Sequence, residues 1–278
     1  MTIRDILVQI DERPESSGRA FAAAQLAMRH GARLTGIFLK SDFLRLHGGS
    51  ETVGYLSPAQ FDALLKEHAE AMAKHEGVAR AAFESAARET DALATWRSIE
   101  SDRPGPLVPL CRQFDLTVFP TTAGACLGQY AIPAGLVAMS VGGPVLVMPE
   151  TPRSRSIGHH ILVAWKDARE SSRALRDAMP ILSAAETVTV LVIPDAGDDF
   201  DKGDLERHLR LHRCAATVAV ESRRGRRASE IIRDYVDRIG ADLLVMGLYG
   251  RPRAQEIVLG GVSRNLLRNP PTPLFVSH

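Results

Sequence analysis

Landmarks from the first half of this 278-residue chain return in the second half in the same order. Ile6-Leu7-Val8 is answered by Ile161-Leu162-Val163, and Glu15-Ser16-Ser17 by Glu170-Ser171-Ser172. Asp115-Leu116-Thr117-Val118-Phe119 is answered by Asp242-Leu243-Leu244-Val245-Met246, and Pro144-Val145-Leu146-Val147 by Pro273-Leu274-Phe275-Val276. A repeat that keeps its internal order means one fold built twice in series. The separation between matching landmarks shrinks along the chain, so the first copy carries extra residues in its middle. Thr151 to Ser156 is polar and without apolar periodicity, a linker. Domains are therefore predicted at 1–150 and 157–278, each large enough to bury a core without a disulfide or metal staple.

The second copy shows the architecture most clearly. His160 to Trp165 is a short apolar run, a buried strand. Ala174, Leu175, Ala178, Ile181 and Leu182 follow helical spacing, with Pro180 expected to bend that helix. Thr187 to Ile193 is β-branched and continuous, a strand covered on both faces. Leu205 and Leu209 mark a helix, Ala216 to Glu221 a third strand, and Ile231 to Ile239 a helix ending at Gly240. Leu243 to Met246, a short helix from Val262 to Asn269, and a strand from Leu274 to Ser277 complete it. Strands alternating with helices imply right-handed crossovers and a doubly wound α/β sheet with helices on both faces. In the first copy, Phe61, Leu64, Leu65, Ala69, Met72, Ala79, Phe83 and Ala86 sustain a long helical stripe, preceded by an irregular Lys40–Ser57 loop. These supply the extra length.

Lys plus Arg is 34 and Asp plus Glu is 33, so the chain has no global field for gripping a nucleic-acid backbone. No apolar run reaches bilayer-spanning length, and no membrane association is expected. Met1 to Asp5 leads at once into a short apolar run followed by Asp11, Glu12 and Arg13, unlike a secretory leader. Cys111, Cys126 and Cys214 are odd in number and widely spaced, which reads as reduced thiols in a cytoplasmic protein.

The residues that carry chemistry cluster after the fourth strand of the second copy. Gly247 and Gly250 are followed by Gly260, Gly261, Val262 and Ser263. Glycines let the backbone turn tightly and approach a ligand without a Cβ in the way. The second pair precedes a helix, whose first amides lack internal partners and attract an anion. Ser263 would add a hydroxyl donor. In a doubly wound sheet, ligands sit at the carboxyl ends of the strands, and both pairs fall at that end.

Here the sequence resembles the universal stress protein family, whose nucleotide-binding members carry Gly-x2-Gly-x9-Gly-Ser/Thr after the fourth strand. This chain has Gly247-x2-Gly250-x9-Gly260, then Gly261-Val262-Ser263. The likeness extends to Ile161-Leu162-Val163-Ala164-Trp165 and the Pro273 strand, and more loosely to the first half, which makes the chain similar to the tandem type. The resemblance implies two doubly wound domains, each a five-stranded parallel sheet of order 3-2-1-4-5. It implies ATP, ADP or AMP as ligand; magnesium accompanying the nucleotide is a separate expectation, for which Asp195, Asp198, Asp199 and Asp201 are the candidates. Phosphates would rest on Gly250, Arg251, Gly260, Gly261, Val262 and Ser263, ribose by Met246 and Gly247, and adenine by Ala164, Trp165, Val192 and Ile193. The family's Asp at the end of the first strand aligns with Lys166, and Asp167 follows one place later. The Ser/Thr after the third glycine is Gly261, which keeps the amide and loses the hydroxyl.

The same resemblance makes the first half a degenerate copy. It keeps Asp11 at the Asp position, but Pro120, Ala123, Ala131 and Ile132 take the places of Gly247, Gly250, Gly260 and Gly261, with an intervening loop two residues shorter. Other clusters read more blandly. His208, His212 and Cys214 have metal-ligand spacing, but Arg207, Arg210 and Arg213 interleave them, which favours a solvated helix face. The acidic stretch Asp195, Asp198, Asp199, Asp201 and the basic turn Arg223, Arg224, Arg226, Arg227 both read as surface loops on the ligand side. The expected function is an adenine-nucleotide-binding stress regulator or sensor, dimeric, in which occupancy orders the Arg251–Leu259 loop. A non-binding interaction module and a slow ATPase are the alternatives. No catalytic residue is assigned.

Overall fold

The computed structural model describes residues 2–41, 43, 55–99, 104–124, 131–152, 154–195, 200–248 and 261–278. The first half runs β1 (Asp5–Gln9), α1 (Glu15–His30), β2 (Arg33–Leu39), α2 (Pro58–Thr90), β3 (Ala94–Ile99), α3 (Pro104–Cys111) and β4 (Leu116–Pro120). It continues through the short β5 (Thr122–Gly124) and β6 (Ala131–Pro133) to α4 (Ala134–Val141) and β7 (Val145–Met148). The second half runs β8 (His160–Trp165), α5 (Arg169–Leu182), β9 (Thr187–Val192), α6 (Gly203–Leu211), β10 (Ala216–Val220), α7 (Ala228–Ile239), β11 (Leu243–Gly247), α8 (Gly261–Arg268) and β12 (Leu274–Ser277).

Ten strands form a single sheet in the order β10-β9-β8-β11-β12-β7-β4-β1-β2-β3. Counted within each half, that order is third, second, first, fourth, fifth, and neighbours within a half are parallel. The two sheets expected from the sequence are fused. β12 pairs antiparallel with β7, placing Leu274 opposite Val147, Phe275 opposite Leu146 and Val276 opposite Val145. The composition of the two strands explains the seam. Val145–Met148 and Leu274–Ser277 are buried at every position, and an open edge of that kind needs a cover. Each supplies the other's.

Helices from both halves cover each face. One core cluster joins Ala20, Ala24, Phe83 and Ile6 to Val163, Ala178, Leu209 and Phe275. The other joins Leu107, Val137 and Leu7 to Leu162, Ile232, Leu266 and Val276. Strand alternation accounts for the split: Ile161, Val163 and Trp165 point to the first face, Leu162 and Ala164 to the second. The 151–156 segment lies against the first half, with the Arg155 guanidinium 4.1 Å from the Phe21 ring centre and its Nη2 3.3 Å from Glu89.

α2 starts at a capping box in which Ser57 N–H donates to Gln60 Oε1 at 2.9 Å. Its carboxyl-terminal part buries Met72, Ala79, Phe83, Ala86 and Ala87. The amino-terminal part of the expected stripe is not buried: Leu64, Leu65 and Ala69 are exposed. A helix of 33 residues rises about 50 Å, roughly twice the length of the strands beneath it, so it overhangs the sheet. Where it does pack, it crosses β2 at Gly36, whose missing Cβ would lie 2.8 Å from both the Phe83 and Trp96 rings. Gly36→Ala should lower stability by about 2 kcal/mol through overpacking; urea denaturation of the two proteins measures it, and equal midpoints would mean that the rings yield freely. Among the described residues no helix is long and apolar enough to cross a membrane.

Candidate functional site at the carboxyl ends of the second half's strands

Trp165, Val192 and Gly247 are the last residues of β8, β9 and β11, which lie side by side. Ala164 pairs with Met246 on one side and Leu191 on the other, and Trp165 pairs with Val192. The strand order reverses direction next to β8, the crevice where open α/β sheets hold ligands. The two faces divide the expected contacts. Ala164, Ile193, Met246 and Val262 belong to the face that α8 covers, whereas Trp165 and Val192 belong to the α5 face. The Trp165 indole N–H is buried and has no hydrogen-bond partner among the described residues.

α8 begins at Gly261, which is exposed. Among the described residues, a Cβ built there meets nothing within 4 Å. Val262 is half-buried and Ser263 is buried, so of these three positions Gly261 is the one at the surface. Gly250, Arg251 and Gly260, together with the Arg251–Leu259 loop, lie outside the described residues.

Gly247 has a packing role besides the one its spacing suggests. An added Cβ would come within 2.5 Å of Ser171 N and 2.6 Å of Glu170 O, in the first turn of α5. The glycine lets a helix backbone touch a strand end, and the close approach is internal. A correction concerns the repeat. β4 and β11 match in register with α4 and α8, so the connections 121–133 and 248–260 are equally long. The two-residue difference expected in that loop falls after the helix instead, in 142–144 against 269–273. By this register Gly261 corresponds to Ala134, not Ile132. Ala134 is 1% exposed and Ile132 2%, both in the core cluster of that face. In the first half, β5 and β6 pair antiparallel across Ala123 and Ile132 where the second half has its glycine loop.

The two strand ends differ in charge as well. In the first half, Asp11 accepts from Arg13 Nη2 at 2.6 Å and Arg19 Nη2 at 3.3 Å, and the Ser16 hydroxyl also donates to it. Asp11 is 3% exposed, so its carboxylate is consumed inside the protein. In the second half Lys166 is exposed and donates to Asp195 Oδ2 at 2.7 Å, while Arg223 Nη2 meets Asp195 Oδ1 at 2.6 Å. One carboxylate thus ties together the segments leaving β8, β9 and β10. Asp167 is exposed, with no partner for its carboxylate among the described residues. Asp201 Oδ1 accepts from Gly203 N–H at 2.8 Å, Arg226 pairs with Asp234, and Arg227 N–H donates to Glu230 Oε2 at 3.2 Å. Asp198 and Asp199 lie outside the described residues.

Two repeated residues have a role that their recurrence signalled without revealing it. Ser16 Oγ accepts from Asp11 N–H at 3.1 Å, and Ser171 Oγ from Lys166 N–H at 3.4 Å, each fastening the segment after the first strand to the next helix. Asp115 Oδ2 accepts from Arg4 N–H at 2.7 Å, and Asp242 Oδ1 from Gly158 N–H at 2.9 Å, each holding the entry to the first strand. Repetition alone could not separate such fasteners from ligand contacts. Cys111 and Cys214 are buried free thiols, and burial pushes Cys111 up to about 12; Cys126 lies outside the described residues.

Residues 158–278 match the model of the universal stress protein family. This half of the chain belongs to that family. The whole chain is similar in fold to a universal stress protein from Archaeoglobus fulgidus, with a TM-score of 0.72 and 16% identity over 99% of this chain and 96% of that one. It is also similar to a functionally unknown protein from Pseudomonas aeruginosa, with a TM-score of 0.55 and 15% identity over 99% and 92%. Both likenesses run through the two halves, so the similarity in fold extends beyond the matched segment. No curated protein matches the chain in sequence.

Proposed function

We propose that the second half binds an adenine nucleotide through its phosphates, and that the chain works as a cytoplasmic stress-linked regulator whose surface changes with occupancy. The observation that carries the reading is the exposed start of α8 at Gly261, where a Cβ would meet no atom of the described residues, inside a universal stress protein segment carrying Gly247-x2-Gly250-x9-Gly260. Unpaired amides at a helix start favour an anion, and the helix dipole adds to them. Ala164, Ile193 and Met246 lie on the same face, next to that helix, and supply an apolar wall for the base. Lys166 is engaged by Asp195, so the phosphates carry more of the recognition than the base edge. ATP or ADP should therefore bind more tightly than AMP, with magnesium accompanying them. In this reading the first half holds no nucleotide, because its strand end is occupied by Asp11, Arg13 and Arg19 and its loop by the β5–β6 pair.

Gly261→Val tests the reading, because a Cβ at that position meets no atom of the described residues within 4 Å. Calorimetric titration with ATP, ADP and AMP should show affinity at least tenfold weaker than wild type, about 1.4 kcal/mol. Unchanged affinity in a folded variant, or two equivalent nucleotides per chain, would remove the site from α8.

A further inference from the structure

A groove of about 480 Å³ lies between α5 and α6, lined by Arg176, Met179, Pro180, Ser183, His208 and His212. It sits far from the nucleotide site. α5 starts at the carboxyl ends of the strands, where Glu170 meets Gly247, and Arg176 to Ser183 lie toward its other end. The Ser183 hydroxyl donates to Met179 O at 2.8 Å and approaches His212 O at 3.1 Å, joining the ends of the two helices.

The lining has an unusual balance. His208 and His212 are one helical turn apart, with ring centres 4.7 Å apart. Arg176 faces them from α5 and has no hydrogen-bond or ion-pair partner among the described residues. On the same helices Arg173 meets Asp177 at 2.9 Å and Arg207 meets Asp204 at 2.9 Å, whereas Arg210, like Arg176, has no such partner among the described residues. No carboxylate lines the groove. Three nitrogen bases therefore converge without a counter-charge, beside the apolar walls of Met179 and Pro180.

We propose that this groove is a binding site for a small aromatic carboxylate. Arg176 takes the carboxylate through its guanidinium fork, and the ring of the ligand lies against the imidazoles, Met179 and Pro180. A metal ion fits less well: among the described residues no group of three His, Cys, Asp or Glu is placed to hold one, and Arg176 repels a dication. Inorganic phosphate would satisfy Arg176 and leave the apolar walls uncovered.

Proton linkage follows from the same geometry. Burial, then His212, then Arg176 hold the His208 pKa below its ordinary value, so His208 is largely neutral at neutral pH. A bound anion opposes the last two effects by favouring imidazolium. Acid should therefore tighten binding, because the site gains cationic charge as pH falls through the histidine range.

Titrating the full chain with salicylate, followed by the ligand's fluorescence anisotropy, tests the site. Saturable binding is expected, at least about fivefold tighter near pH 5.5 than near pH 8. Arg176→Ala should weaken it at least about tenfold while nucleotide affinity stays at the wild-type value. His208→Ala with His212→Ala should abolish the pH dependence. These side chains lie at the surface of the groove, so the variants should fold, and circular dichroism checks that they do. Absence of saturable binding near pH 5.5, an unchanged affinity in Arg176→Ala, or equal competition by inorganic phosphate would each overturn the proposal.

Discussion

Gly247→Ala should destabilise the protein by about 3 kcal/mol, a larger effect than most single-methyl additions produce. The reason is what the methyl group would strike. At Gly36 the obstacles are two ring side chains, which can rotate or slide by a few tenths of an ångström. At Gly247 they are the backbone atoms of Glu170 and Ser171, at 2.5 Å from Ser171 N and 2.6 Å from Glu170 O. Neither can move without shifting the first turn of α5. That turn also carries the Ser171 hydroxyl that accepts from Lys166 N–H, so a displaced helix loosens the end of β8 as well. Urea denaturation of wild type and Gly247→Ala should give a lower midpoint at similar slope. If stability were unchanged and only nucleotide affinity fell, Gly247 would be a ligand contact after all and the packing explanation would be wrong.

That one glycine shows why the fold was more legible than the site. The alternation of β-branched runs with helical stripes, and the ordered return of Ile-Leu-Val, Glu-Ser-Ser and Asp-Leu, are periodic signals, and periodicity reports directly which faces are buried. The strand order within each half followed from the family resemblance, not from periodicity. The antiparallel seam between β7 and β12 followed from neither, because strand pairing across two copies leaves no periodic trace. Its hint was the unbroken burial of two terminal strands that would otherwise be bare edges. A glycine, by contrast, registers only the absence of a side chain. Gly247 is bare because a helix touches it, and Gly261 stands at an exposed helix start where a Cβ would meet none of the described residues. The sequence has the same letter in both places. The repeat register failed for a related reason: with landmarks only in the strands, a length difference cannot be assigned to one side of α4 or the other. The buried Arg19 pairs with Asp11 over eight positions, too far for any local pattern to announce.

Asp11→Asn should cost about 3 kcal/mol near neutral pH, and the cost should shrink in acid. Arg19 is 4% exposed, donating from Nε to Gln9 O at 2.7 Å and from Nη2 to Ser16 Oγ at 2.7 Å, with Asp11 as its counter-charge at 3.3 Å. Burial pushes the guanidinium down to about 10, and it stays charged at neutral pH because Asp11 opposes that push. Removing the carboxylate charge strands this cation; breaking a buried pair costs about 3–5 kcal/mol, and the lower end applies because Asn keeps an acceptor of the same shape. For Asp11, burial pulls the pKa upward, but the hydrogen bond from Arg13, the charge of Arg19 and the Ser16 hydroxyl outweigh it and hold it below 3.8. A carboxyl lowered by folding contributes stability that is full above its unfolded value, near 3.8, and is lost as pH falls through the lower folded value. Wild type and variant should therefore converge as the solution is acidified below that range, whereas a purely steric defect would keep the gap constant; urea midpoints at neutral pH and in acid distinguish the two. In the second half Ala174 stands at the repeat position of Arg19 and Lys166 at that of Asp11, so no such pair can form there. The first half's strand end is held by a buried ion pair, whereas the ion pairs at the second half's strand end, Lys166–Asp195 and Arg223–Asp195, lie at the surface.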